Sequence, residues 1–335
     1  MVHKFSTMSD DGRGQTPRQP RNLQGLLNFC TEITAREDTT QPTSIQHLDP
    51  ERRRFLEEAL NSLTVNVAKQ LAESVKSLCC EAVTMGGEDV TEQEEAIAMI
   101  EEHADDMNYA IDLYKMGAFP VFVRCLDSPH SSLRVGAAGL IGDVCQNNLQ
   151  CQQSMITLNV VPQLLHMVDG DEDINVRVKA LYALSCLIRD FPDGEKEFMK
   201  AEGFSYLMRA MQSGVEKLVV KSAFLLSRLI QGNDSYKAEL LSMGYVEQLF
   251  TILSNEETDN ISREHCTAAL LSLASSYPPA LAECMRPELH LNHLLTTRLK
   301  EIKAKQELQE EEGYISELLK LMERPEADGE ENSCR

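Results

Sequence analysis

Tryptophan is absent from the 335 residues, and aromatic residues make up only 5% of them. Sheets draw on β-branched and aromatic side chains, whereas Leu, Ala, Glu and Met, all plentiful here, favour helices, so the expected fold class is all-α. Positive charge is also scarce. With Lys+Arg 32 against Asp+Glu 53 the net charge is -21, which repels phosphate backbones and points away from nucleic acid toward a protein partner. No run of eighteen apolar residues occurs, so no membrane role is expected. The opening MVHKFSTMSD lacks the apolar stretch and cleavage site of a secretory signal, and the expected location is cytoplasmic.

The chemistry-bearing motifs are missing too. There is no G-x-S-x-G elbow, no phosphate-cradling G-x-x-x-x-G-K, no H-E-x-x-H and no G-x-G-x-x-G, so no enzyme, cofactor or metal site is expected. The ten cysteines include no C-x-x-C pair. Most lie in apolar helical text, as Cys125, Cys145, Cys186 and Cys266 do, and read as reduced thiols. The adjacent Cys79 and Cys80 read as ordinary helix residues, with redox sensitivity as the alternative. The acidic string Asp169-Gly-Asp-Glu-Asp173 is an inter-helix loop rather than a calcium loop: its sixth position is not glycine and its twelfth, Ala180, offers no carboxylate. His265 and Cys266 are neighbours on a helix and point about 100° apart, which does not suit a base and a nucleophile.

An internal repeat is what the sequence does contain. Met116-Gly117-Ala-Phe-Pro120, Leu158-Asn159-Val-Val-Pro162, Glu202-Gly203-Phe-Ser-Tyr206 and Met243-Gly244-Tyr-Val-Glu247 place their turn residues 42, 44 and 41 positions apart. Gly117, Gly203 and Gly244 suit a left-handed helix cap, and Asn159 is the next best residue there. Pro120 and Pro162 follow where a helix starts. The second half of each unit matches as well, in Leu133–Ile141, Val176–Leu184, Leu218–Leu226 and Ser262–Leu270, so Ile141, Leu184, Leu226 and Leu270 are expected to be equivalent core positions. Two long helices and a short one every 42 or so residues is the pattern of an armadillo-like α-solenoid.

The expected organisation follows. Residues 1–45 form a disordered tail, interrupted by an apolar motif at 22–29 in which Leu23, Leu26, Leu27 and Phe29 sit at near-helical spacing. That motif reads either as a helix formed on binding or as a stub packed on its own domain. Capping helices occupy 46–104. One starts at Asp49-Pro50-Glu51, and an acidic one carrying Glu94, Glu95, Glu101 and Glu102 follows the Gly86-Gly87 turn. Four armadillo repeats span 105–276, C-terminal capping helices span 277–323 and an acidic tail spans 324–335.

With no chemistry to place, function falls to the concave surface that stacked repeats make. Lys179, Tyr182, Cys186 and Arg189 follow helical spacing, and Lys221, Phe224 and Arg228 occupy the corresponding places one repeat on. Gly136, Gly139 and Asp143 flank them on one side, and His265, Ala268 and Ser272 on the other. Two aromatics among four cations in so acidic a chain suit binding hot spots; the alternative is a solvated helix face with partly buried rings. Arg134 and Arg177, at matched places in the first two repeats, complete the candidate partner-binding set.

The stretches Pro20-Arg-Asn-Leu-Gln-Gly-Leu-Leu27, Val176-Arg-Val-Lys-Ala-Leu-Tyr182, Gly203-Phe-Ser-Tyr-Leu-Met-Arg-Ala-Met211 and Lys221-Ser-Ala-Phe-Leu-Leu226 resemble the Fes/Sil group of heat-shock-chaperone-binding proteins. The resemblance runs from about residue 20 to 323. It implies a monomeric co-chaperone whose concave face binds the ATPase domain of a cytosolic seventy-kilodalton heat-shock chaperone and promotes ADP release. The chain ends Asn-Ser-Cys-Arg335 without a retention tetrapeptide, which favours the cytosolic branch of the group. An importin-like or catenin-like adaptor for extended peptides is the alternative. The importin pattern presents Trp and Asn from successive inner helices, where this chain has Tyr182 and Cys186, then Phe224 and Arg228.

Overall fold

The computed structural model describes residues 67–83, 89–303 and 305–323. The apolar motif at 22–29, the helix start at Asp49, the Gly86-Gly87 turn and the acidic tail lie outside the described residues. The chain divides at Val67 into two units, and the architecture is that of the second, from Ala68 onward. Every regular element among the described residues is helical.

Helix α1 (Val67–Ser77) precedes α2 (Thr91–Ala104), and triplets follow. The first is α3 (Met107–Lys115), α4 (Ala118–Cys125) and α5 (Ser131–Cys145); the second is α6 (Leu149–Thr157), α7 (Val160–Gly170) and α8 (Ile174–Ile188). The third is α9 (Pro192–Lys200), α10 (Gly203–Gln212) and α11 (Glu216–Leu229); the fourth is α12 (Asp234–Ser242), α13 (Tyr245–Ser254) and α14 (Asn260–Ala274). The C-terminal helices α15 (Pro278–Cys284), α16 (Leu291–Ile302) and α17 (Gln309–Glu323) likewise place two shorter helices before a longer one. They form a fifth unit rather than a cap of different design.

Two backbone reversals build each unit. The first helix ends on a left-handed residue: Gly117 (φ 76°), Asn159 (55°), Glu202 (56°), Gly244 (80°) and His290 (49°), at intervals of 42, 43, 42 and 46. The third repeat corrects the sequence reading, because Glu202 rather than Gly203 adopts the strained conformation. Gly203 opens α10, and a Cβ there would lie 2.2 Å from the Phe198 ring. Glycine is needed at that position for close approach. A second left-handed series, Asn147, Asp190, Gly232 and Ser276, joins each long helix to the next unit. Asn, Asp, Gly and Ser are among the residue types that dominate turns, and Asn and Asp tolerate this conformation well.

Side-chain caps fix where helices begin. Asp106, Asn148, Asp173, Asn233 and Asp259 each accept a hydrogen bond from a backbone N–H in the first turn of α3, α6, α8, α12 and α14, which satisfies donors the helix leaves unpaired. The long third helices lie side by side in the order α2, α5, α8, α11, α14, α17. Ile141, Leu184, Leu226 and Leu270 are fully buried, at 0% exposure, in the middle four. Each of these side chains contributes on the order of 1.5–3 kcal/mol by its removal from water.

The close contact at Gly203 has a measurable consequence. Gly203→Ala forces a methyl into the Phe198 ring and is expected to cost about 1–3 kcal/mol in urea unfolding, as overpacking does. Glu202→Gly relieves a left-handed side chain and is expected to be neutral or slightly stabilising. Wild-type stability for Gly203→Ala would contradict the packing described.

Candidate functional site

The face of the third-helix ladder turned away from the core is the candidate site, and α5 sets its spacing. Gly136, Gly139 and Gly142 line up along that helix. A Cβ at Gly136 would lie 2.5 Å from Ile97 of α2, and one at Gly142 would lie 2.4 Å from the Tyr182 ring of α8. The glycines let both neighbours pack closely onto α5. Gly136 and Gly139, taken from the sequence as flanks of the binding stripe, therefore act as spacers. Gly142 was missed, although its place in a three-residue series of glycines was visible.

The Tyr182 ring packs against this gap, and its hydroxyl donates to Asp143 Oδ1 at 2.7 Å. Lys179 Nζ lies 5.7 Å and Lys221 Nζ 5.3 Å from the centre of the same ring, within cation–π range. Burial raises the Asp143 and Glu101 carboxyls, and Lys179 opposes both shifts. Burial lowers the Lys221 ammonium, and the neighbouring Lys179 and Lys217 charges lower it further. Farther along the ladder, Arg189 stacks over Phe224 at 5.7 Å, and the Phe224 and His265 ring centres are 6.4 Å apart. Phe224 is 40% exposed, a large apolar side chain left in water.

Beyond Phe224 the ladder opens into a cleft of about 620 Å³ between α11, α14 and α17, whose lining includes Phe224, Arg228, Lys237, His265 and Tyr314. Among the described residues Arg228 reaches only an exposed Asp190, at 3.9 Å, which leaves it available to a partner. Lys237 is committed: it is buried, and its Nζ donates to the Ser275 carbonyl at 2.6 Å. There it satisfies the C-terminal end of α14, where a cation is favoured.

Lys179, Tyr182, Arg189, Lys221, Phe224 and Arg228 thus share one face. Three other residues expected there do not belong to it. Cys186 is 5% exposed and lies in the floor beneath Tyr182, with its thiol pushed up by burial. Arg134 makes a bidentate pair with Asp171, both contacts 2.8 Å, and donates to the Ser128 and Pro129 carbonyls. Arg177 donates to the Val168 carbonyl at 2.8 Å. Arg263, the match to these two in the fourth repeat, binds the Leu253, Asn255 and Thr258 carbonyls. In the first, second and fourth repeats these guanidinium groups tie the end of the second helix or the loop after it to the third helix, while the third repeat has Val219 at that place. Leu23, Leu26, Leu27 and Phe29 lie outside the described residues.

The remaining chemistry-bearing residues are absorbed by the fold. Asp169 pairs with Arg209 at 2.7 Å, Asp171 with Arg134, and Asp173 caps α8. Among the described residues, all eight cysteines are free thiols, and no group of three or more His, Cys, Asp or Glu side chains could hold a metal ion. Burial pushes Cys125 up to about 11 and Cys266 up to about 12, so these thiols stay protonated at neutral pH. No helix among the described residues is long and apolar enough to cross a membrane.

The family profile of the SIL1/FES1/HPBP1 C-terminal domain matches residues 109–237. Hsp70-binding protein 1 of Mus musculus is 36% identical over 312 residues, which span 90% of this chain and 86% of that protein. The Homo sapiens protein of the same name is 37% identical over 313 residues, 90% and 85% of the two chains. The nucleotide exchange factor SIL1 of Xenopus laevis is 26% identical over 290 residues, 79% of this chain and 62% of that one. Among solved structures, a designed armadillo repeat protein superposes with a TM-score of 0.62 at 17% identity, covering 75% of this chain and 99% of its own. Another, in complex with peptide (KR)4, gives 0.61 at 17% identity over 74% and 99%. These structures share the armadillo fold with this chain.

Because Arg134 staples a loop, its loss should be felt in stability. Arg134 and Asp171 side chains are 17% and 8% exposed, and Arg134→Met, which leaves Asp171 unpaired, is expected to cost about 2 kcal/mol in urea unfolding. Arg228→Met is expected to leave unfolding unchanged. The reverse pattern would return Arg134 to the binding face.

Proposed function

We propose, from the premise that the chain belongs to the SIL1/FES1/HPBP1 family, that it is a co-chaperone of a cytosolic seventy-kilodalton heat-shock chaperone. In this reading it is a nucleotide exchange factor and not an enzyme. It acts as a monomer in the cytoplasm, and its third-helix ladder forms the concave face that embraces one lobe of the chaperone's ATPase domain. The observation that carries the assignment to this face is the continuous row Lys179, Tyr182, Lys221, Phe224 and Arg228. These side chains come from two adjacent repeats, are exposed or half-buried, and stand in a chain otherwise dominated by carboxylates. Tyr and Arg are the residue types that most often anchor interfaces, and here they sit on rigid stacked helices.

The mechanism is linkage rather than chemistry. A factor that binds more tightly to the lobe arrangement that holds ADP poorly shifts the chaperone toward it, and ADP leaves faster. Coupling is reciprocal, so ADP must weaken the factor's own binding by the same free energy, typically about 1–3 kcal/mol. ATP entry then releases bound peptide from the chaperone. The apolar motif at 22–29 is assigned to that later step. The cations at Lys179, Lys221 and Arg228 disfavour a basic peptide ligand of the kind held by the designed armadillo protein.

Stopped-flow release of a fluorescent ADP from the chaperone tests the activity. Catalytic amounts of this protein should accelerate release, and an unchanged off-rate would remove the functional claim. Phe224→Ala is expected to weaken chaperone binding about thirtyfold, or roughly 2 kcal/mol, with little salt dependence and unchanged thermal unfolding. Arg228→Glu should do similar harm that shrinks as salt rises. Full-strength binding by both variants would move the contact elsewhere.

A further inference from the structure

Lysines recur at one place on the ladder, Lys179 of α8 and Lys221 of α11, and both ammonium groups lie within 5.7 Å of the centre of the Tyr182 ring. They are not equivalent electrostatically. Lys179 faces the Glu101 and Asp143 carboxyls across α5, which answer part of its charge. Lys221 is half-buried and has no such carboxyl: the groups acting on its ammonium are the Cys186 thiol, which burial pushes toward its neutral form, and the like charges of Lys179 and Lys217. No carboxylate among the described residues forms an ion pair with Lys221. A chain of net charge -21 has carboxylates to spare, so an ammonium kept half-buried beside a like charge departs from the rest of the surface.

The rigid platform under the two ammonium groups is also built rather than incidental. Tyr182 fits only because residue 142 is glycine, and its hydroxyl is held by Asp143. The ring face attracts both cations, which holds two flexible side chains over one spot and lowers the entropy they lose on binding. Two preorganised ammonium groups, one lacking an internal counter-ion, form a receptor for an anionic side chain.

We propose that Lys179 and Lys221, held over Tyr182, form a carboxylate-receiving site into which the protein partner inserts an Asp or Glu side chain. The proposal rests on the ladder being the chaperone-binding face. The incoming carboxylate supplies the charge that Lys221 lacks within its own chain and relieves its repulsion with Lys179. Such a site sets orientation and association rate as well as affinity. It also explains why a desolvated lysine is retained where an apolar residue of similar length would pack at lower cost.

Two measurements test it, one with the partner and one without. Calorimetric titration of the nucleotide-free chaperone ATPase domain compares the wild type with Lys221→Met, Lys179→Met and the exposed control Lys217→Met. Lys221→Met is expected to lose about tenfold in affinity at low salt, with the loss shrinking as salt rises, while Lys217→Met stays within about twofold and both fold at least as stably as wild type. A Lys221→Met variant that binds like wild type overturns the site and leaves the proposed function standing. The second measurement follows the Lys221 side-chain ammonium by NMR in the free full-length protein while a blocked tetraglutamate peptide is added. A resonance that moves with added peptide at Lys179 and Lys221, and not at Lys217, supports the receptor even if the chaperone does not bind. No shift, or an equal shift at all three lysines, overturns it.

Discussion

Everything else in this molecule depends on the third helices stacking side by side. The buried column Ile141, Leu184, Leu226 and Leu270 lies along that stack, and a single triplet of helices could not bury these side chains alone. The stack also fixes the spacing between repeats. A left-handed residue between the two short helices of each unit, and another before them from the second unit on, return the chain to the same starting geometry every 42 to 46 residues, so a side chain at one place in a repeat meets its counterpart in the next. The row from Lys179 to Arg228 exists because of that return.

A face built this way is rigid, and its charge can differ from that of the whole protein. Most of the negative charge lies elsewhere, while the ladder carries cations whose internal partners are weak, as at Arg228, or lacking, as at Lys221. By contrast, the arginines at 134, 177 and 263 are consumed by the loops they staple. The distinction between a cation that holds the fold together and one left for a partner is one of direction: Arg177 and Lys179, two apart on α8, serve opposite purposes.

That is also where reading the sequence reached its limit. The repeat period, the helical class and the equivalence of Ile141, Leu184, Leu226 and Leu270 were legible because apolar periodicity and turn residues record burial and chain reversal directly. The turn at 202–203 misled because glycine is the default left-handed residue, yet Gly203 serves Phe198 packing while Glu202 bears the strain. The second left-handed series is harder to see because its residue type changes at every step, Asn147, Asp190, Gly232 and Ser276, and all four are common loop residues, although its spacing of 43, 42 and 44 is as regular as that of the first. Arg134 and Arg177 lie at repeating positions but turn to backbone carbonyls at the end of the second helix and in the loop after it, and Cys186 falls on the right stripe but is buried. Spacing gives the face of a helix; which side chains remain on its surface is decided by the loop carbonyls and side chains they meet in three dimensions.

The most direct measurement of whether the ladder is the working surface is hydrogen exchange with and without a saturating amount of nucleotide-free chaperone ATPase domain. Added protection is expected in the exposed turns of α8, α11 and α14, with the second helices α7, α10 and α13 unchanged. Protection confined to the second helices, with α8 and α11 exchanging as in the free protein, would contradict that role of the ladder.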